Sequence, residues 1–201
     1  MQNQENNTGS PVAVPITKKP FCIGVIINET NAEDVAYYND EFRQINKMYK
    51  DKVKLLFLGY KPDSDKHDIL NGVDYEYVKP VSIIHYFKQV KACEINLLFI
   101  PIIPNTYNVT SENYNKYLEA SLLSIPIITE GIYPYMKLIT NDSNGFVYKG
   151  KQEFIKMLEF ILSRPKGISL IRECGKKANS MVMNEFNYSK GNMESLLNTL
   201  Q

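Results

Sequence analysis

A carboxylate, Glu119, stands in the run NKYLEASLL, which follows the loop PNTYNVTSENY and precedes IPIITE. Upstream of the loop lies INLLFIP (residues 95–101), a continuous apolar run with the β-branched character of a strand covered on both faces. IPIITE (125–130) is a second such run. Between them Tyr114, Tyr117, Leu118, Leu122 and Leu123 recur at spacings of three, one and four, which predicts a helix whose apolar stripe sits on a sheet. Glu119 falls at the edge of that stripe. Strand, loop and helix in this order form the place where an open α/β sheet binds nucleotides. A fixed carboxylate there can accept both adjacent hydroxyls of a ribose, each charge-assisted bond being about twice as strong as a neutral one. The alternative is a solvated helix carboxylate.

The loop before the helix adds polar groups. Asn108, Thr110, Ser111 and Asn113 offer amides and hydroxyls at a helix start, where unpaired backbone N–H groups and the positive end of the dipole attract a diphosphate. The same residues are also ordinary turn formers, and Ser111 reads equally well as the N-cap. Lys116 either reaches a phosphate or lies along the helix surface. Tyr135, after Pro134, either packs on a nucleotide base or caps the sheet edge.

Positioning these groups requires a series of strands and helices. Residues 1–19, rich in Asn, Gln, Thr, Pro and Lys, show no period and are expected to be a disordered leader, with one domain over 20–201. Strands are predicted at 21–28, 53–60, 73–78, 95–101, 125–130 and 145–149. Helices are predicted at 33–49, 81–92, 134–139, 152–163, 168–185 and 189–200, in addition to the one carrying Glu119. Within 81–92, Ile84, Phe87 and Lys88 alternate with polar positions. Strands alternating with helices imply parallel pairing through right-handed crossovers, hence a three-layer Rossmann-like parallel sheet with C-terminal helices.

Bulk properties exclude several classes. The chain has 201 residues, 44% hydrophobic and 22% charged, an ordinary globular composition with room for one core. Its net charge of +1 gives no footprint for nucleic acid. No stretch is long and apolar enough to span a membrane, and the first residues lack the pattern of a signal peptide, so a cytoplasmic chain is expected. Three separated cysteines, Cys22, Cys93 and Cys174, suit reduced buried thiols. His67 and His85 have no ligand-forming neighbours, so no metal or cofactor is expected. No Gly-x-Gly-x-x-Gly or Walker-type pattern occurs.

The order of pieces from Pro101 onward resembles the C-terminal, nucleotide-sugar-binding domain of GT-B glycosyltransferases (group 1), especially those of surface-polysaccharide synthesis. The resemblance rests on Pro101 and Pro104, Leu118-Glu119-Ala120, Ile125-Pro126-Ile127-Ile128, Pro134-Tyr135 and Asn144-Gly145, and extends over about residues 21 to 200. It implies a single GT-B half-domain that binds a nucleotide-diphosphosugar donor for transfer to a glycan, lipid or protein acceptor, with Glu119 on the ribose. It also implies a second domain or partner chain for activity, with membrane association only through that partner. In many such enzymes another Glu lies eight positions earlier, where this chain has Ser111. Active members also hold the diphosphate with an Arg and a Lys after the first strand, whereas NETNAEDVAYYND supplies acids and no base before Arg43. The competing reading is a non-catalytic binding or scaffold module with a degenerate donor site. A flavodoxin-like domain fits less well, because Pro101 and Pro104 occupy the point where a phosphorylatable Asp would stand.

Overall fold

The computed structural model describes residues 19–64, 67–111, 114–163 and 165–185. The expected leader up to residue 18 and the expected helix 189–200 lie outside the described residues. The chain opens with strand β1 (Phe21–Ile27), a 3-10 turn at Glu29–Asn31, and helices α1 (Ala32–Tyr37) and α2 (Asn39–Met48). Strand β2 (Val53–Gly59), the short strands β3 (Asp63–Ser64) and β4 (His67–Asp68), and β5 (Glu76–Val78) follow. Next come α3 (Ile83–Ala92), β6 (Leu97–Ile100), α4 (Thr106–Ser111) and α5 (Asn115–Leu122). The described chain ends with β7 (Ile127–Glu130), α6 (Tyr135–Leu138), β8 (Phe146–Tyr148), α7 (Lys151–Ser163) and α8 (Pro165–Glu185).

Six of the strands form one sheet in the order β5-β2-β1-β6-β7-β8, with every neighbouring pair parallel. The continuous apolar composition of FCIGVII, LLFI and IITE follows from burial on both faces. On one face Val35, Phe42 and Ile45 of α1 and α2, with Phe154, Leu158 and Ile161 of α7, pack on Ile23, Val25, Leu97 and Phe99. On the other, Val90 of α3, Tyr117 and Ala120 of α5, and Ala178 and Val182 of α8 pack on Leu56, Leu58, Leu98 and Ile127. The expected three-layer Rossmann-like parallel sheet is therefore the observed one. Its order reverses between β1 and β6, because the chain leaves β1 toward β2 and leaves β6 toward β7. The crevice beyond their carboxyl ends is the switch point of the fold.

Several elements depart from the sequence expectation. The helix expected over 33–49 breaks at Tyr38, whose fully buried ring sends its hydroxyl to the Ile102 carbonyl oxygen at 3.2 Å. The third strand is confined to Glu76–Val78. In α3, Ile83 and Ile84 are 78% and 86% exposed, and Val90 is buried in their stead. Apolar spacing marks a stripe, but which stripe meets the sheet is decided by the neighbouring elements. In α5 likewise, Tyr117, Ala120 and Ser121 face inward while Leu122 is exposed.

Candidate functional site

Glu119 lies on α5, away from its sheet-facing side, and is turned toward α3. It is half-buried, and its Oε2 accepts a hydrogen bond of 2.9 Å from the Tyr86 hydroxyl. Burial and the adjacent carboxylate raise the Tyr86 phenol above its ordinary value, so Tyr86 remains a donor throughout the usual pH range. The other oxygen of Glu119, Oε1, makes no hydrogen bond among the described residues. One oxygen is thus fixed by a neighbouring helix while the second retains accepting capacity. Nothing in the spacing around Tyr86 distinguishes it from the aromatic residues beside it, and sequence reasoning missed it.

Of the segment expected to be a loop, Asn108 to Asn113, the described residues 108–111 are helical. Asn105 Oδ1 accepts from the Asn108 backbone N–H at 2.8 Å, and the turn it starts continues as α4. Ser111 is consequently the last residue of α4 and not the N-cap of α5, a place taken by Tyr114, whose side chain makes no cap hydrogen bond. Thr110 and Ser111 belong to α4 by backbone, while their side chains, and the whole of Asn113, lie outside what the structure describes.

Asn108 has a defined task. Its Nδ2 donates to the Ile103 carbonyl oxygen and to Asp34 Oδ1, each at 2.9 Å, which uses both of its amide hydrogens within the protein. Asp34 Oδ1 also accepts the Ile103 backbone N–H at 2.8 Å. Asp34, on α1, thereby ties the segment after β1 to the loop after β6, directly at the switch point. Burial lifts its carboxyl above the ordinary value, against the opposing pull of the Ile103 N–H, Asn108 and the charge of Lys116. Lys116 is half-buried on α5. Sequence reading recorded Asp34 only as one of the acids after the first strand, since a contact across 69 residues leaves no local signal.

Tyr135 is fully buried at the start of α6. Of the two roles the sequence left open, its ring is placed in the packed interior, where a base cannot reach it in this conformation. The interior also holds a buried carboxylate. Glu130, 5% exposed at the end of β7, accepts the Gly150 N–H at 2.9 Å on Oε1, and its Oε2, 3.4 Å from the Tyr38 hydroxyl, shares that single hydrogen with the Ile102 carbonyl oxygen. Tyr148 donates to the Tyr38 oxygen at 2.9 Å. Burial raises the Glu130 carboxyl above its ordinary value.

The segment from Phe21 to Phe42 contains no Lys or Arg. Arg43 sits on α2, where it binds Asp40 and donates to the Asn71 carbonyl oxygen at 2.9 Å. Lys151 is held beside Glu41 at 2.9 Å and over the Tyr37 ring at 4.0 Å. Burial pushes the Cys22 thiol up to about 12 and the Cys174 thiol up to about 11, which disfavours their thiolates. Among the described residues no group of three or more His, Cys, Asp or Glu could hold a metal ion, and no helix is long and apolar enough to cross a membrane. A cavity of about 750 Å³, lined among others by Lys54, Cys93, Glu94 and Arg172, lies at the opposite, amino-terminal edge of the sheet, away from Glu119.

Comparison with known proteins was informative only in three dimensions. No protein-family model and no curated protein matches the sequence. Among solved structures, the C-terminal domain of the glycosyl transferase group 1 family protein LpcC from Francisella tularensis superposes with a TM-score of 0.57 at 16% identity, covering 84% of this chain and 88% of that one. HepE from Anabaena, solved with UDP-glucose, gives 0.59 at 13% identity over 83% of this chain and 45% of HepE. Sucrose-phosphate synthase from Thermosynechococcus elongatus gives 0.61 at 14% identity over 90% of this chain and 45% of the synthase. The chain thus spans less than half the length of the last two. At these identities the likeness is one of architecture: the chain has the α/β fold of a single GT-B half-domain.

Proposed function

We propose that this chain binds a nucleotide-diphosphosugar donor, as the C-terminal half of a GT-B glycosyltransferase transferring a sugar to a glycan, lipid or protein acceptor. The observation that carries the reading is Glu119: a half-buried carboxylate on α5, between β6 and β7, with Oε2 held by Tyr86 and Oε1 still able to accept. Supporting it is a neighbour of the same fold solved with UDP-glucose. In this reading Glu119 grips the ribose hydroxyls. The residues assigned to the diphosphate are Thr110, Ser111, Asn113 and Lys116, and Asn108 braces the loop after β6 from within. The acceptor base comes from a second domain or chain, no metal takes part, and the enzyme works in the cytoplasm in surface-polysaccharide synthesis.

Binding at a hundredfold excess over the dissociation constant stabilises the folded state by about 2.7 kcal/mol. A thermal-shift screen of UDP-, GDP-, ADP- and CMP-sugars is expected to show a shift for one nucleotide class, removed by Glu119→Ala. No shift for any donor contradicts the proposal.

One observation favours a second reading, a scaffold module with a degenerate donor site. The crevice holds the carboxylate of Asp34, and the nearest base in that segment, Arg43, is engaged on α2. The same screen separates the two readings, since the module gives no shift.

A further inference from the structure

At the switch point the groups best placed to meet an anionic ligand are already in use. The backbone N–H of Ile103, the first donor beyond Ile102 on the loop after β6, is directed at Asp34 Oδ1 at 2.8 Å. The Asn108 amide is directed at the same oxygen at 2.9 Å. The positive charge of Lys116 acts on this carboxylate as well, while Glu33 on the same helix adds a further negative charge. A carboxylate oxygen accepting a backbone N–H and a side-chain amide has the bonding pattern of a bound phosphate oxygen. We infer that Asp34 is an internal anion occupying the diphosphate position of the crevice, so that it sets the ligand charge this site accepts and weakens its hold on nucleoside diphosphates.

This inference rests on the donor-binding reading above and adds to it the residue that limits phosphate affinity. Two consequences separate it from a merely structural role for Asp34. The penalty acts through charge, so removing the charge while keeping the side-chain shape relieves it. It also acts on phosphates alone, so a ligand without them is indifferent to the change. A unit charge within several ångströms of a diphosphate in a partly buried crevice changes affinity by about tenfold or more.

The test is isothermal titration of the wild-type chain and Asp34→Asn with UDP, GDP and ADP, and with the matching nucleosides uridine, guanosine and adenosine. Asn keeps an acceptor oxygen for the Ile103 N–H. The expected result is diphosphate binding about tenfold or more tighter in Asp34→Asn, with nucleoside binding unchanged. Should Asp34→Asn fold poorly, Asp34→Ser, which also removes the charge, is titrated in its place with the same expectation. Equal or weaker diphosphate binding by the neutral variant, where the wild type binds, overturns the inference and leaves the donor-binding reading standing. A gain shared equally by nucleosides overturns it too, since that outcome reflects shape and not charge. If neither wild type nor variant binds any diphosphate, both the inference and the donor-binding reading fail.

Discussion

Glu119 and Tyr86 form the contact on which the proposed ribose grip depends, and their separate roles are measurable. Tyr86→Phe removes the hydroxyl that holds Oε2 but keeps the ring, and a hydrogen bond to a charged group contributes about 1.5–3 kcal/mol. Because the freed carboxylate regains water, the expected loss is smaller, about three- to tenfold in donor affinity by titration, with thermal stability within a few degrees of wild type. Glu130 gives a prediction of a different kind. Its folded value lies above the ordinary 4.5, so its contribution to stability is complete below that value and is lost as pH rises through the folded one. Glu130→Gln mimics the protonated acid and is expected to stay within about 1 kcal/mol of wild type in acid. Urea denaturation at rising pH should show the wild type losing stability relative to the variant, and parallel curves contradict this. At this scale Glu119 was legible because its helix and flanking strands are local patterns. Asp34's partner and Tyr86's role were not, since both depend on which elements the fold brings side by side.

Elements were read unevenly, for a physical reason. β1, β2, β6 and β7 were plain because strands buried on both faces have nothing but apolar positions to show. Helix faces were harder: Ile84 of α3 is apolar yet stands 86% exposed, while Ser121 of α5 is polar and fully buried. α4 was hidden because an Asn side chain, Asn105, starts it inside a run of turn residues. Close approaches between elements are also invisible in sequence. Gly175 on α8 meets the chain just before β7 so tightly that an added Cβ would lie 2.0 Å from the Ser124 carbonyl oxygen. Gly175→Ala gains up to about 1 kcal/mol of helix propensity. Overpacking against backbone outweighs that gain, so a net loss of about 2 kcal/mol in urea denaturation is expected. A neutral or stabilising effect would show that α8 can move off this contact freely.

The molecule as a whole presents the carboxyl edge of its sheet with apolar groups in solvent: Tyr107, Tyr133 and Met136 are 75%, 56% and 55% exposed. In the proposed assembly a second GT-B half faces this edge and supplies both the acceptor base and the cation missing after β1. A leaving diphosphate without a cation loses a large electrostatic contribution, commonly worth a hundredfold or more in rate for each donor removed, on the order of 10². The chain alone is therefore expected to bind donor without detectable sugar transfer to glycan or lipid acceptors in a radiolabelled-donor assay. Efficient transfer by the isolated chain contradicts the need for a partner. The parallel sheet and its layers were legible from the alternation of strands and helices. The electrostatic character of the crevice was only half legible, because the acids after β1 are visible in sequence whereas the bond of one of them, Asp34, to the Ile103 N–H is not.

Titration calorimetry of the wild-type chain and Glu119→Ala, with whichever nucleotide sugar gives the largest thermal shift, tests the central claim most directly. Loss of two charge-assisted hydrogen bonds to a ribose predicts binding weaker by about a hundredfold in the variant, at unchanged fold by circular dichroism. Equal affinity in the two proteins would place the nucleotide elsewhere and contradict the role given to Glu119.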